Sequence, residues 1–133
     1  MEFTIDFPGG ARVDAHFLNH TIATDQPAKM GGTDTAPSPF ILFLASLGTC
    51  AGYYVLDFCR RRELSLDGLR LVQRVELDPS TGEVQEVITE IQVPATFPEK
   101  YLPALVRAAD QCKVKKTVEH PPEIKTITRM VNG

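Results

Sequence analysis

The sequence predicts an α+β domain in which strands and helices follow one another in blocks. Three observations carry this prediction: alternating apolar and polar residues before residue 25, a nearly uncharged apolar stretch over Phe40–Phe58, and two further alternating segments after residue 68. This order differs from the strand–helix alternation of a parallel sheet. A chain of 133 residues with 43% hydrophobic residues is expected to form a single domain over 1–133.

The N-terminal segment predicts a β-hairpin. Its turn is Pro8-Gly9-Gly10, and apolar residues alternate on both sides of it: Phe3, Ile5, Phe7, and then Val13, Ala15, Phe17. A short third strand is expected near Thr21–Thr24. Residues 25–38 are rich in Gly, Pro, Ser, Thr and Asp and predict a loop.

One long helix is expected from Pro39 to about Arg62, roughly 24 residues or ~36 Å in length. Ser38 is a typical N-cap residue, and Pro39 suits the first helical position. Arg60–Arg62 lie where the helix dipole favours positive charge.

The stretch Phe40–Phe58 contains a single charge, Asp57, and is long enough to be a membrane-span candidate. Polar residues within it and amphipathic strands around it favour instead the core helix of a globular assembly. Gly48 and Gly52 would allow a second helix to approach closely. The sequence therefore predicts a homodimer, with no membrane partner, whose long helices pack across a two-fold axis.

The second half of the chain predicts a second hairpin, a second helix and a final strand. The expected bounds are strands Leu69–Leu77 and Val84–Val93 around a turn at 79–82, a helix from Pro98 or Pro103 to about Cys112, a helix or turn over Lys113–Glu119, and a strand over Ile124–Val131.

Composition excludes several classes of function. A net charge of −3 gives no attraction to nucleic acid or to an anionic membrane. The first ten residues contain two acids and no apolar run, so no secretory signal is expected and a cytoplasmic location is predicted. The three cysteines form no CxxC pair, and the three histidines are scattered, so no metal site is expected.

The cysteines differ in their predicted surroundings. Cys50 and Cys59 are nine residues apart on one helix, so they point to opposite sides and cannot readily pair. Cys112 is followed by three lysines in the next four residues. Their ammonium groups would lower the pKa of the Cys112 thiol if they approach it, and otherwise they are solvated surface residues.

The two cysteine segments together resemble the OsmC/Ohr family of osmotically induced and organic-hydroperoxide-resistance proteins. The resemblance extends over nearly the whole chain in the order of its elements, and its motifs are Ser38-Pro39, Leu47-Gly48-Thr49-Cys50, and Gln111-Cys112-Lys113-Val114 followed by Thr117. It implies an intertwined homodimer in which two long cysteine-bearing helices pack back to back between β-sheets.

The resemblance also implies an activity and site residues. It implies that the chain is a thiol-dependent peroxidase that reduces organic hydroperoxides, or H2O2, to alcohols or water in an antioxidant stress response. Cys50 would form a sulfenic acid, Cys112 would resolve it as a disulfide, and a dithiol reductant would restore both thiols. This chemistry needs no cofactor.

Two departures from the family pattern leave alternatives open. Phe40 stands where the hydroperoxide reductases of the family have a glutamate, and Asp34 or Asp25 could replace it. Arg12 is the only arginine before Cys50, so it is either the family's assisting arginine or a solvated hairpin residue.

The apolar residues Phe40, Ile41 and Phe43 favour a second hypothesis, a non-enzymatic dimer that binds a small apolar ligand at the subunit interface. A third hypothesis makes both Cys50 and Cys112 core residues of a structural dimer.

Overall fold

Three antiparallel strands open the chain in the computed structural model, which describes residues 1–132. The strands are β1 (Thr4–Gly9), β2 (Arg12–Phe17) and β3 (His20–Thr24), and they pair in the order β1-β2-β3. Gly10 makes the turn between the first two at φ 58°, a left-handed conformation that glycine adopts at little cost. The predicted hairpin and third strand are confirmed.

The loop that follows β3 is organised around the carboxylate of Asp25, which is 1% exposed. The Asp25 carboxylate accepts hydrogen bonds from the hydroxyl and amide of Thr35 (2.6 and 3.0 Å), from the Gln26 amide (2.7 Å) and from the Thr33 hydroxyl (3.1 Å). These bonds, led by the Thr35 hydroxyl, hold the pKa of Asp25 far below its usual range. Gly32 is required nearby, because a Cβ there would lie 1.9 Å from the Gln26 carbonyl oxygen.

The long helix, α1, runs over Pro39–Arg61, close to its predicted bounds. Ser38 caps it, since its hydroxyl accepts the Ile41 amide at 3.4 Å. At the other end Glu63 adopts φ 54°, and the Leu64 amide returns to a carbonyl of the last turn at 2.9 Å. This backbone geometry is a Schellman ending, built here without glycine.

Much of α1 remains exposed within the single chain. It is the one helix of residues 1–132 that is long and apolar enough to cross a membrane by length and composition, and only 11% of its most apolar 18-residue window is buried. The exposed side chains include Ile41, Ala45, Thr49 and Tyr53, which follow one another every four residues. They form a continuous row along the helix.

Two antiparallel strands, β4 (Arg70–Leu77) and β5 (Val84–Gln92), form a second sheet, as predicted. The position of β4 corrects the prediction that Gly48 and Gly52 allow a second helix to approach. A Cβ on Gly48 would lie 2.8 Å from Oε1 of Gln73, and Gly52 also faces β4. The two glycines therefore accommodate a strand of the same chain, and the face that they share is not available to a second helix.

The second predicted helix is shorter than expected and ends before Cys112. Helix α2 spans Leu102–Ala109, and a separate helix, α3, spans Lys113–Glu119. The break arises at Cys112, whose extended backbone (φ −46°, ψ 117°) lets its sulfur accept the Lys115 amide as the N-cap of α3. Short 3-10 turns lie at Ala28–Met30 and Glu99–Tyr101.

A hydrophobic core forms where the C-terminal half of α1 meets α2. Its buried members are Val55, Phe58, Cys59 and Leu105, and partly buried residues of β4, β5 and the segments around them pack against these. Close contacts divide the described chain into two compact units, 1–46 and Leu47 onward, with the boundary inside α1. The mixed α+β class is confirmed, and the single domain expected over 1–133 stays a prediction.

The strand expected over Ile124–Val131 is wrong for the described chain, in which residues 121–132 have no regular structure. Ile124, Ile127 and Met130 are 85%, 88% and 100% exposed. An isolated strand leaves its backbone groups without partners, and no neighbouring strand of the chain pairs with this segment.

Candidate functional site

The structure brings Cys50 and Cys112 together although 62 residues separate them. Cys50 lies in the middle of α1 and is partly exposed, whereas Cys112 begins α3 and is 2% exposed. The two side chains lie close enough for each to shift the pKa of the other. The Cys112 sulfur also lies 3.8 Å from the Leu47 carbonyl oxygen and accepts the Lys115 amide at 3.3 Å.

The surroundings of Cys50 favour its thiolate. Burial alone raises the pKa of Cys50, but the Val114 amide, the Cys112 thiol and the Lys113 amide together outweigh it, so its pKa is lowered. These amides are free to interact with sulfur because the first turn of a helix leaves its N–H groups without intrahelical partners. A thiolate is the nucleophilic form of cysteine, so the geometry activates Cys50.

The pKa of Cys112 is shifted in the opposite direction. Burial raises the pKa of the Cys112 thiol, and the neighbouring Cys50 raises it further, while the Lys115 amide lowers it only in part. Of the two alternatives left open for the lysines, a lowered pKa of Cys112 is not found. The Lys115 ammonium is held instead by Asp110 at 2.9 Å, and this pairing raises the pKa of Lys115.

An apolar cavity of about 490 Å³ lies beside Cys112. Its walls come from α1, β5, α2 and α3, and they include Leu47, Ile91 and Val106. Cys112 lines this cavity, whereas Cys50 does not. A space of this size and character can hold a small, mainly apolar molecule next to the Cys112 sulfur.

The third predicted site residue, Arg12, lies on β2 in the N-terminal unit. Its guanidinium donates to both carboxylate oxygens of Asp14, at 2.9 and 3.1 Å, and Asp14 is 7% exposed. Arg12 Nε is buried and, within residues 1–132, has no hydrogen-bond partner. Arg12 is therefore a half-buried residue with one unsatisfied donor, which differs from a simple solvated hairpin position.

The position of the family glutamate is occupied by an exposed aromatic ring. Phe40 is 54% exposed and stacks on Phe43, with ring centroids 5.8 Å apart. Of the two proposed substitutes, Asp25 already accepts hydrogen bonds on both oxygens within its own loop. Asp34 has a left-handed backbone at φ 54° in the same loop.

No group of three or more metal-ligating side chains occurs in the part of the chain that the structure describes. Of the histidines, His16 is paired with Asp6 at 3.0 Å and contacts the Thr21 hydroxyl at 3.2 Å.

The sequence reasoning missed the amides of Lys113 and Val114 and the cavity. Cysteine is an unusual N-cap residue, so Cys112 gave no signal that a new helix begins there. One signal of this helix was present in the sequence. The residues after Cys112 have helix-forming character, and Lys113–Glu119 was left open as a helix or a turn.

Comparison with known proteins identifies the family of the chain. The family model described as OsmC-like protein matches residues 32–127, which confirms the predicted resemblance. None of the curated proteins matches the chain significantly.

Solved structures share the fold. A protein of Psychrobacter arcticus, described as an osmotic stress induced and detoxification response protein, is 25% identical, with a TM-score of 0.72 over 86% of this chain and 85% of that chain. An organic hydroperoxide resistance protein of Vibrio cholerae, solved with captopril in one active site, is 20% identical (TM-score 0.60, 91% and 86% covered). An organic hydroperoxide resistance protein OsmC of Legionella pneumophila is 19% identical (TM-score 0.54, 89% of each chain covered).

Proposed function

Since the chain belongs to the OsmC-like protein family, we propose that it is a thiol peroxidase that reduces organic hydroperoxides, or H2O2, in a cytoplasmic stress response. The observation that carries the proposal is the contact between the Cys50 and Cys112 thiols, in which only Cys50 has a lowered pKa. The names of the Vibrio cholerae and Legionella pneumophila proteins, which refer to hydroperoxide resistance, support a role in peroxide resistance at the level of the family.

The reaction begins with the Cys50 thiolate attacking one oxygen of the hydroperoxide. The O–O bond breaks, the leaving oxygen takes a proton to become an alcohol, or water from H2O2, and Cys50 becomes a sulfenic acid. The Cys112 sulfur then attacks the Cys50 sulfur, the Cys112 proton leaves with the hydroxyl as water, and a disulfide forms. A dithiol reductant supplies the two electrons and two protons that restore both thiols.

The assignment of roles follows from exposure and acidity. Cys50 is partly exposed and has a lowered pKa, so it is the sulfur that a hydroperoxide reaches in its reactive form. Cys112 is 2% exposed and has a raised pKa, so it stays a protonated thiol until the adjacent sulfenic acid forms. We assign no cofactor or metal to this cycle.

Arg12 is the third residue that we assign to the site. Its unsatisfied, buried Nε keeps one donor available while the other end of the guanidinium is fixed on Asp14. Such a donor would stabilise negative charge on the thiolate or on the leaving oxygen. This role requires that Arg12 of either subunit approach Cys50.

The proposed protein is an intertwined homodimer. The exposed row Ile41, Ala45, Thr49 and Tyr53 gives α1 a face that a second copy of the helix would bury. A lipid environment is a poorer explanation, because α1 carries an ion pair between Asp57 and Arg61 at 3.0 Å.

A second candidate function is the binding of a small apolar ligand without catalysis. The apolar cavity of about 490 Å³ and the presence of Phe40 in place of the family glutamate favour it. The cavity is walled by residues of α1, β5, α2 and α3, and the ligand would lie beside the Cys112 sulfur.

The test is the turnover of cumene hydroperoxide, tert-butyl hydroperoxide and H2O2 by the purified protein with dithiothreitol as electron donor. Cys50→Ser is expected to lower turnover by about 10³-fold or more, because serine forms no sulfenic acid. Cys59→Ala is the matched control on the same helix and is expected to stay within about twofold of the unmodified protein.

Absence of turnover, with Cys50 still a free thiol after excess hydroperoxide, would refute the peroxidase and leave ligand binding as the function. Equal turnover in Cys50→Ser and the unmodified protein would also refute the assignment of Cys50.

A further inference from the structure

The two sulfurs of the site face different surroundings. Cys112 lines the apolar cavity between β5, α2 and α3, whereas Cys50 is partly exposed and takes no part in its walls. A molecule in the cavity is therefore next to the Cys112 sulfur and makes no contact with Cys50 as part of the cavity wall.

The Cys112 sulfur also holds the cavity wall in place. As the N-cap of α3 it accepts the Lys115 amide at 3.3 Å, and its thiol lies against the Leu47 carbonyl at 3.8 Å. Helix α3 in turn supplies Lys115 and Val118 to the cavity wall. Disulfide formation removes the S–H donor and moves the sulfur toward Cys50, so both contacts weaken in the oxidised state.

Resting on the peroxidase cycle proposed above, we infer that this cavity is the binding site of the reducing thiol, which attacks the Cys112 sulfur of the Cys50–Cys112 disulfide. The reductant thiolate forms a bond to the Cys112 sulfur as the S–S bond breaks, and the electron pair of that bond leaves on Cys50 as a thiolate. A second thiolate of the reductant then attacks the reductant sulfur bound to Cys112. The reductant leaves as a disulfide, and the released Cys112 thiolate takes up a proton.

The relative acidity of the two cysteines also favours attack on Cys112, with Cys50 as the departing thiolate. Thiol–disulfide exchange is faster when the departing sulfur is the more acidic one. The Lys113 and Val114 amides lower the pKa of Cys50, whereas burial raises the pKa of Cys112. Attack on Cys112 therefore expels the better leaving group.

The first test maps the attacked sulfur. The disulfide is made with diamide, so the test needs no peroxidase activity, and it is then treated briefly with 2-mercaptoethanol and quenched with acid. The adduct is expected on Cys112, within the tryptic peptide of residues 108–113, which does not contain Cys50. An adduct on Cys50, or failure of diamide to join Cys50 to Cys112, would overturn the inference.

The second test fills the cavity. Val106 is 56% exposed and lines the cavity, and its neighbour Arg107 is exposed and does not. Val106→Trp is expected to slow reduction of the disulfide by dithiothreitol about tenfold, because thiol exchange needs an aligned approach to the sulfur. Oxidation by tert-butyl hydroperoxide is expected to be unchanged, and Arg107→Trp is expected to alter neither step.

A second pair of variants keeps the test decisive if one variant of the first pair misfolds. Val118 also lines the cavity and Lys116 does not, so Val118→Trp is compared with Lys116→Trp. Equal reduction rates within both pairs would overturn the inference. Failure of hydroperoxide to oxidise Cys50, with the adduct on Cys112 and slowed reduction in Val106→Trp, would refute the peroxidase and leave the thiol site standing.

Discussion

Cys50 and Cys59 lie on the same helix, nine residues apart, and the structure gives them opposite chemistry. Cys50 is partly exposed, contacts the Cys112 thiol, and has a lowered pKa. Cys59 is fully buried in the hydrophobic core, and burial raises its pKa although the Arg62 charge opposes this. The same residue type in the same helix therefore has a lowered pKa at a partly exposed position and a raised pKa in the buried core.

This difference shows that a position on α1 does not by itself lower the pKa of a cysteine thiol. Mid-helix backbone amides are already paired within α1, so they cannot stabilise a thiolate on that helix. The donors near Cys50 come from the start of α3, which is distant in sequence. Cys59 packs in the core with apolar side chains such as Val55 and Leu105, and burial there raises its pKa. Reactivity is thus decided by which second element packs against each turn of the helix.

The largest expected effect is on the rate of alkylation. Two single-cysteine proteins compare the positions directly: Cys59→Ala/Cys112→Ala leaves Cys50, and Cys50→Ala/Cys112→Ala leaves Cys59. In the native state at neutral pH, iodoacetamide is expected to react with Cys50 about 10³-fold faster than with Cys59, because Cys59 is reached only by unfolding. In guanidinium chloride the two rates should become equal. Similar native rates would break the comparison, and mass spectrometry of the labelled proteins measures them.

Much of the fold was predictable, because its elements depend on local patterns. The alternating segments predicted the strands of both sheets, and Ser38-Pro39 predicted the start of α1 within a residue. Hydrophobic periodicity could not reveal that Gly48 faces β4, since a glycine on an apolar helix suits a strand and a second helix equally well. The tail strand was predicted from residue preferences alone, although a strand also requires a pairing partner.

The site was only partly predictable. Helical spacing separated Cys50 from Cys59, and family resemblance paired Cys50 with Cys112. The groups that lower the pKa of Cys50 were not predicted, because the sequence drew attention only to the lysine charges after Cys112. The structure assigns the effect to the backbone amides of Lys113 and Val114, which every residue carries and which sequence composition therefore does not reveal.

A smaller effect is expected in the pH dependence of Cys50 alkylation. In Cys59→Ala the rate should level off at a pH below that of an ordinary thiol (pKa about 8.5), because the pKa of Cys50 is lowered. Adding Cys112→Ala removes a hydrogen-bond donor and the cap of α3, so the midpoint should move to higher pH. Adding Cys112→Ser instead restores a donor and a cap and should return the midpoint toward its original value. A midpoint that is the same in all three proteins would show that Cys112 does not act on Cys50.

The smallest expected effect is on the free energy of unfolding, and here substitution of Cys59 is expected to have a larger effect than substitution of Cys50. Cys59→Ala removes a sulfur from the core formed with Val55, Phe58 and Leu105, and the cavity left behind should cost roughly 1–2 kcal/mol. Cys50→Ala acts at a partly exposed position and should cost less than about 1 kcal/mol. Urea unfolding under reducing conditions, at one fixed protein concentration, measures both. A larger loss at Cys50 than at Cys59 would mean that Cys50 is itself a packing residue, since a group kept for its reactivity contributes little to the core that surrounds Cys59.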